Sequence, residues 1–454
     1  MGVRFGTDGI RGVANAELGV ELVLALGRAA ARVLPATTFV VGRDTRRSGT
    51  LLQAALSTGL ASEGADVVDL GVLPTPAVAW VSQVRGVPAA VVSASHNPFD
   101  DNGVKLFAAG GLKLADALEE QIEAELEGIL SGRARPVRLP TGRAVGMLGP
   151  DPAVADDYVD HLSSLCEGDL TGVRVVVDCA NGSASRVAPA VLRRLGAEVE
   201  AICDEPDGTN INAGCGSTFP EALQARVIET GAEIGLALDG DADRLIAVDD
   251  AGALVDGDEL MAMFALDLAR RGRLAGNTVV VTVMSNLGLR IAMAEHGITV
   301  RETPVGDRYV LEALEADGLS LGGEQSGHIV FRQLSTTGDG VLTGVLLLDL
   351  VRRSGRRLSE LARSSMTKLP QVLRNVSVPD PAGAVDSVPV QEELAKVRDE
   401  LGERGRVVLR ASGTEPVVRV MVEAPEHDGA VTAAERLVAA VARADTVGAG
   451  QPSA

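Results

Sequence analysis

Three stretches of the chain repeat one pattern: an unbroken valine-rich apolar run, a loop, a helical stretch, then a second apolar run led by glycine. Phe39-Val40-Val41-Gly42-Arg43-Asp44 leads to Gly64-Ala65-Asp66-Val67, Val175-Val176-Val177-Asp178 to Gly196-Ala197-Glu198-Val199, and Val279-Val280-Val281-Thr282 to Gly297-Ile298-Thr299-Val300. Short apolar runs between turn signals predict buried strands, and their alternation with helical stretches predicts βαβ units of parallel sheets. Three copies predict three related α/β domains in tandem. Beyond about residue 370 the pattern changes. Leu373-Arg374-Asn375-Val376-Ser377-Val378 alternates as a strand, a Pro/Gly loop follows, then a charged helix from Val390 to Leu401 and strands near Val407 to Leu409 and Val417 to Val422. That order predicts a fourth, smaller domain of α+β type.

Breaks in composition mark the joints. Gly132 through Pro150 is rich in Gly, Pro and Arg and reads as a linker, and a second break falls between Ser364 and Pro370. The expected domains are residues 1–148, 149–250, 251–366 and 367–446, followed by a disordered tail at 447–454. A length of 454 residues suits several cores, and 46% hydrophobic with only 2% aromatic residues means that Ala, Val and Leu must build them. The 42 basic against 62 acidic residues give a formal charge of −20, which argues against nucleic acid or an anionic membrane as partner. An anionic ligand would need locally gathered cations. Cys166, Cys179, Cys203 and Cys215 show no metal-binding spacing, so reduced thiols in a cytoplasmic protein are expected. No apolar run is long enough to span a bilayer.

The candidate chemistry lies in loops. Ala89-Ala90-Val91-Val92 predicts a buried strand that Ser93-Ala94-Ser95-His96-Asn97-Pro98 ends, because the residue before proline is pushed out of the helical region. Ser95 then sits at a strand's carboxyl end, where open α/β sheets bind ligands. After a turn at Asp100-Asp101-Asn102-Gly103, Val104-Lys105-Leu106-Phe107 predicts a returning strand that brings Lys105 back beside Ser95. A hydroxyl with an ammonium nearby suits a phosphoryl carrier; a Ser-rich turn with a solvated lysine is the bland alternative. A Ser-His nucleophile pair is disfavoured, since His96 is the adjacent residue and no G-x-S-x-G elbow is present.

Asp239-Gly240-Asp241-Ala242-Asp243-Arg244 lies between the predicted strands Ile234 to Leu238 and Leu245 to Val248. Three carboxylates on one short loop call for a cation, and hard oxygens suit Mg²⁺. An acidic solvated turn is the alternative, and the flanking strands exclude an EF-hand. Gly322-Gly323-Glu324-Gln325-Ser326-Gly327-His328 suits hydrogen bonding to sugar hydroxyls, or is a Gly-rich surface loop. Arg410-Ala411-Ser412-Gly413-Thr414-Glu415-Pro416, with Arg419 beyond, offers a phosphate cradle, or is a strand-to-turn junction with surface arginines. Gly71-Val72-Leu73-Pro74-Thr75-Pro76 reads as a rigid loop without assigned purpose, and Cys179 as a small core residue. No P-loop or dinucleotide fingerprint is present.

With these stretches in hand, together with Phe5-Gly6-Thr7-Asp8-Gly9-Ile10-Arg11-Gly12, the sequence resembles the α-D-phosphohexomutase superfamily over Phe5 to about Val422, with five motifs in order. The resemblance implies four domains around a central cleft. It also implies a phosphoryl group on Ser95, Mg²⁺ held by Asp239, Asp241, Asp243 and that phosphoryl, and neutralisation by Arg244 with Arg11 nearby. By the same resemblance Lys105 and His328 serve proton transfer, Glu324 and Ser326 read sugar hydroxyls, and Arg410, Ser412, Gly413, Thr414 and Arg419 hold the idle phosphate. Met284-Ser285-Asn286-Leu287-Gly288, Val305-Gly306-Asp307-Arg308-Tyr309-Val310 and Ser335-Thr336-Thr337-Gly338-Asp339-Gly340 look like the branch acting on glucosamine phosphates. That branch implies an isomerase that feeds UDP-N-acetylglucosamine and peptidoglycan precursors through glucosamine 1,6-bisphosphate or glucose 1,6-bisphosphate as intermediate or activator. An activating kinase and a homodimer are further expectations. Glucose or mannose phosphates as substrates, a non-catalytic phosphosugar sensor and a Mg²⁺ phosphatase are the rival readings. Ala242 departs from the more usual Gly and puts that loop's backbone angles in question.

Overall fold

The valine runs become central strands, buried along their middles because helices cover both faces. The computed structural model describes residues 5–6, 9–134, 138–412 and 416–448. Among these residues there are four sheets. The first runs Ile10–Val13, Asp101–Ala108, Ala89–Val92, Thr38–Arg43, Asp66–Val72, Leu148–Pro150, with Leu112–Lys113 added on Asp101–Ala108. The second runs Leu254–Val255, Leu245–Val248, Ile234–Leu238, Arg174–Asp178, Glu198–Ile202. The third runs Thr299–Thr303, Thr278–Thr282, Leu321–Gly323, Ile329–Phe331, and the fourth Gln371–Ser377, Val417–Glu423, Arg406–Ala411.

The first three sheets share a plan. In each, the βαβ unit pairs its two strands in parallel, as in Phe39 with Val67, Val175 with Val199 and Val279 with Val300. A third strand, Ala89–Val92, Ile234–Leu238 or Leu321–Gly323, adds in parallel on the other side of the first. An antiparallel strand then returns beside it, and the loop at that reversal carries Ser95, the Asp239 to Asp243 cluster, or Glu324 to His328. The fourth sheet is wholly antiparallel, with helices Val388–Leu401 and His427–Gly448, the α+β unit that the alternating pattern predicts.

Four boundaries differ from the sequence expectation. The end of the expected linker forms Leu148–Pro150, paired in parallel with Asp66–Val72, because Val67 and Asp69 leave an edge that any extended segment can fill. Leu254–Val255 completes the second sheet, beyond the expected joint at 250. The strand carrying Lys105 starts at Asp101, since its first residues pair with Ile10–Val13. The last helix continues through Gly448 into the expected tail, carried by an Ala-rich helical stretch, and residues 449–454 lie outside the described residues.

One apolar core runs without interruption through the first three domains, from Val40 and Tyr158 to Leu289 and Met366, whereas the fourth keeps its own around Val390, Val420 and Leu437. The fourth is fixed to the third by polar contacts. Arg406 donates to the carbonyls of Val283 at 3.0 Å and Ser285 at 2.6 Å and pairs with Glu423, while the Asn286 amide bridges both the N–H and the carbonyl of Leu369.

Candidate active site

Ser95 stands on a loop that several long-range donors hold in a strained shape. Its φ is +52°, a left-handed conformation that costs an L-residue roughly 1–2 kcal/mol. Ser93 Oγ donates to Asp44 at 2.6 Å and accepts the Ser95 N–H at 3.0 Å. Arg46, fully buried, pairs with Asp44 at 2.9 Å and donates to the carbonyls of Ser95 at 2.9 Å, Asn97 at 2.8 Å and Asp101 at 3.0 Å, and also to that of Pro98. Asn212 of the second domain donates from its amide to the Ser95 and Asn97 carbonyls at 2.9 and 3.1 Å. With its backbone fixed, the buried Ser95 hydroxyl donates to Asp239 Oδ2 at 2.6 Å. His96 Nδ1 lies 3.5 Å from the same hydroxyl. Burial, then the positive charges of Arg244 and Arg11, push the His96 imidazole down to about 4, which places both arginines beside the serine loop.

The second domain brings the carboxylates. Oxygens of Asp239, Asp241 and Asp243 lie within 4.8 Å of one another, and all three side chains are buried. Gly240 is required by the approach: a methyl there would fall 2.6 Å from the Ser95 carbonyl and 2.8 Å from the Asn212 amide. Ala242 takes a φ of +57°, so the departure from glycine is a real strain, borne by the bonds from its N–H to the Asp239 carbonyl and from Gly340 to its own carbonyl, at 3.0 and 2.9 Å. Thr75 Oγ1 donates to Asp241 Oδ2 at 2.7 Å while its N–H binds the Asp241 carbonyl at 3.0 Å, which gives the proline-bounded loop its purpose.

Cations from two directions face this cluster. Lys105, opposite Val91 in the sheet, reaches Asp241 at 2.8 Å and Asp243 at 3.5 Å. The returning strand brings Lys105 to the same cluster as Ser95, where Lys105 meets Asp241 and Asp243 and Ser95 meets Asp239. Arg244 donates from its backbone to Asp239 at 3.2 Å and sets its guanidinium 3.7 Å from Asp243. Burial, aided by the charges of Asp243 and Asp241, holds the Asp239 carboxyl well above its ordinary range. Burial also pushes Asp243 upward, but Lys105, His328 and Arg244 outweigh it and hold that carboxyl well below the ordinary value.

His328 comes from the third domain, buried between Asp243 at 3.7 Å from Nδ1 and Asp307 at 3.8 Å from Nε2. Burial favours the neutral ring, whereas Asp243 and Asp307 favour the imidazolium and lift it to about 9. The Gly338 N–H lies 3.1 Å from Nε2, so in the neutral ring that nitrogen accepts it and the remaining proton sits on Nδ1, facing Asp243. Lys113 pairs with Asp307 at 2.5 Å behind it.

The donor set suits a hard divalent cation. Asp241 Oδ1 and Asp243 Oδ1 are buried and accept no hydrogen bond from the described residues, a condition costly for a carboxylate unless a cation is bound there. Asp239, Asp241 and Asp243 can thus hold a metal ion next to the Ser95 hydroxyl.

The remaining expected residues form two further groups. Glu324 follows Leu321–Gly323 and accepts the Gly306 N–H at 3.1 Å, while Ser326 Oγ is buried without a hydrogen-bond partner. Arg410 and Arg419 are directly paired across the fourth sheet, and burial together with the charge of Arg419 lowers the Arg410 guanidinium, as expected of two cations gathered to meet an anion. Ser412 closes the strand end through its N–H to the Val417 carbonyl at 2.9 Å; Gly413 and Thr414 lie outside the described residues. Sequence reasoning missed Arg46, Asn212, Thr75 and Asp307. Thr75 has a local signal in the two prolines around it, and Asp307 lies in the Val305 to Val310 stretch that the resemblance singles out without a role for it; Arg46 and Asn212 have none.

Comparison with known proteins agrees with this geometry. Models of the phosphoglucomutase/phosphomannomutase family match in sequence: alpha/beta/alpha domain I at residues 2–132, domain II at 156–252, domain III at 256–369 and the C-terminal domain at 373–444. The phosphoglucosamine mutase of Desulforudis audaxviator is 52% identical over 455 residues, covering 99% of this chain and 100% of that one. That of Acidothermus cellulolyticus is 55% identical over 447 residues, covering 96% and 95%. Among solved structures, a phosphoglucomutase/phosphomannomutase family protein of Burkholderia thailandensis superposes with a TM-score of 0.79 at 28% identity, covering 96% of this chain and 97% of that one. Aspergillus fumigatus N-acetylphosphoglucosamine mutase, solved with GlcNAc-6P and magnesium, shares the fold at a TM-score of 0.69 and 19% identity, covering 97% and 96%.

Two outcomes follow from the contacts. Arg46→Met removes the guanidinium from the buried Asp44 carboxylate and from four carbonyls, of which those of Ser95 and Asn97 keep Asn212 as donor, and should lower unfolding free energy by about 3–5 kcal/mol, read from urea midpoints. Thr75→Val keeps the shape but removes the hydroxyl from Asp241, and calorimetric titration with Mg²⁺ should show affinity weakened on the order of 10–100-fold.

Proposed function

Since the chain belongs to the phosphoglucomutase/phosphomannomutase family, we propose that it is an isomerase interconverting glucosamine 6-phosphate and glucosamine 1-phosphate through a phosphoryl group carried on Ser95. The observation that carries the reading is the 2.6 Å bond from the Ser95 hydroxyl to one of three buried carboxylates, two of which keep an oxygen free of hydrogen bonds.

In the forward direction the sugar's O1 attacks the phosphorus on Ser95, the phosphorus–Oγ bond breaks, and the sugar becomes a 1,6-bisphosphate. The bisphosphate reverses end for end, Ser95 Oγ takes the phosphoryl from O6, and glucosamine 1-phosphate leaves. Mg²⁺ held by Asp239, Asp241, Asp243 and an oxygen of the Ser95 phosphoryl would supply charge withdrawal from the group in transfer. Lys105 and Arg244 add positive charge from the protein side, with Arg11 beside the same loop. Lys105 and His328, both in contact with Asp243, hold the proton that leaves the attacking hydroxyl and return it to the leaving oxygen. Glu324 and the unpartnered Ser326 hydroxyl read the sugar's polar groups. Arg410, Ser412, Gly413, Thr414 and Arg419 grip the phosphate that is not reacting, since paired guanidiniums match phosphate oxygens.

Two further parts of this proposal come from the family likeness: a kinase or hexose bisphosphate that first charges Ser95, and a homodimer. Intact mass after priming and sedimentation velocity read them. The product would supply UDP-N-acetylglucosamine and peptidoglycan precursors in the cytoplasm; no helix among the described residues is long and apolar enough to cross a membrane.

Ser95→Ala should lose on the order of 10³-fold or more of kcat, and its intact mass should lack the phosphoryl group carried by the parent protein. Retention of parental turnover by that variant would end the covalent scheme. Coupled assays on glucosamine, glucose and mannose 6-phosphates should give the highest kcat/KM with the amino sugar. Higher kcat/KM on a neutral hexose phosphate would move the assignment to the rival mutases.

A further inference from the structure

Behind the strand that leads to Asp239, the second domain holds two thiols and a carboxylate that the reaction does not use. Cys203 follows strand Glu198–Ile202, and Cys215 opens the short turn Gly216–Thr218. Ligand atoms of Asp178, Cys203 and Cys215 lie within 4.8 Å of one another, which sets the two sulfurs side by side. Cys215 is buried, whereas Cys203 is half-buried and so open to small solutes. Both oxygens of Asp178 are already engaged, accepting N–H groups of Ala180 at 2.9 Å and Gly216 at 2.8 Å. That leaves the sulfurs as the reactive pair.

The residues between the two cysteines form the strap that grips the first domain. The Gly208 carbonyl accepts the Arg47 N–H at 2.8 Å, and Asn212 supplies the two bonds to the Ser95 loop. The turn begun by Cys215 is packed hard against the carboxylate-bearing strand: a methyl on Gly216 would fall 2.5 Å from the Leu238 carbonyl, one residue before Asp239. Cys203 already holds a left-handed φ of +48°, so the strap is strained where it begins.

We propose that Cys203 and Cys215 are an oxidisable dithiol, a modification site for hydrogen peroxide, and that the disulfide they form displaces the strap and lowers turnover at Ser95. The Cys203 thiolate attacks one peroxide oxygen, the O–O bond breaks, and hydroxide leaves to take up a proton as water. Cys215 sulfur then attacks the Cys203 sulfenic sulfur; the S–O bond breaks, the S–S bond forms, and the Cys215 proton leaves with the hydroxyl as a second water. Two thiols and one peroxide thus give one disulfide and two waters. The order of attack follows the environments. The hydrogen bond from Cys215, against burial and the charge of Asp178, holds the Cys203 thiol below its ordinary value, and the same bond with burial pushes Cys215 up. A disulfide holds its sulfurs about 2 Å apart, closer than two thiols in contact, so the strap's ends draw together and Asn212 shifts against Ser95 and Asn97.

The test uses the full chain, reduced, then exposed to hydrogen peroxide, unfolded, alkylated and digested. The peptides bearing Cys203 and Cys215 should emerge joined and lighter by two hydrogens, with Cys166 and Cys179 alkylated. This readout does not depend on the substrate assignment. Mutase turnover should fall roughly tenfold, since displacement of reacting groups by about 1 Å is enough for that, and dithiothreitol should restore it. Cys203→Ser should keep basal turnover and resist peroxide, and Cys215→Ser should resist equally. The proposal is overturned if both cysteines alkylate freely after peroxide, if either serine variant loses as much turnover as the parent, or if metal analysis finds zinc bound stoichiometrically to the two thiols.

Discussion

Three carboxylates closed off from water within 4.8 Å of each other govern what surrounds them. At such separations each like-charged pair repels by ~4 kcal/mol at an effective dielectric near 20, and loss of water adds to that. The chain meets this with positive groups from separate domains: Lys105 from the first, Arg244 from the cluster's own loop, and the His328 imidazole from the third. These groups still leave an oxygen on Asp241 and one on Asp243 without hydrogen bonds. A divalent ion held by the three carboxylates would complete the balance, beside the Ser95 hydroxyl.

The shared plan of the first three sheets explains how residues so far apart in sequence converge. Each domain uses the same reversal, from its third parallel strand into an antiparallel neighbour, to present one loop. One loop holds the serine, the next the carboxylates, the third the imidazole together with Glu324 and Ser326. A continuous apolar core fixes these three loops against one another, whereas the fourth domain, with its own core and polar contacts at Arg406 and Asn286, presents the paired arginines from a separate body. The shared core therefore underlies the serine and carboxylate loops, and the domain with a separate core carries the paired arginines.

Backbone strain is concentrated at the same place. Ser95 and Ala242 both adopt left-handed φ on facing loops, and Gly240 between them approaches too closely for any side chain. Such conformations persist only when surrounding bonds over-determine them. Arg46 and Asn212 do this for Ser95, and Gly340 with Asp239 for Ala242. The hydroxyl is thus aimed by the backbone, leaving its oxygen free for chemistry.

The sequence by itself determined the strands, the kind of each domain and the loops that carry reactive residues, because apolar runs and turn residues act over a few positions and dictate local structure. The valine runs, the Asp-Gly-Asp-Ala-Asp loop and the Ser-Ala-Ser-His-Asn-Pro loop were legible for that reason. Only the tertiary structure decided which donors serve those loops. Arg46 and Asn212 bind backbone carbonyls, which every residue possesses, so nothing in the composition of their partners marks them. The bond from Thr75 to Asp241 arises because the domain cores stack in one register, and Asp307 comes within 3.8 Å of His328 because helix Asp307–Ala316 packs beside the strand that leads to His328. Leu148–Pro150 became a strand for the same kind of reason: an open sheet edge, not its own pattern, gave it partners.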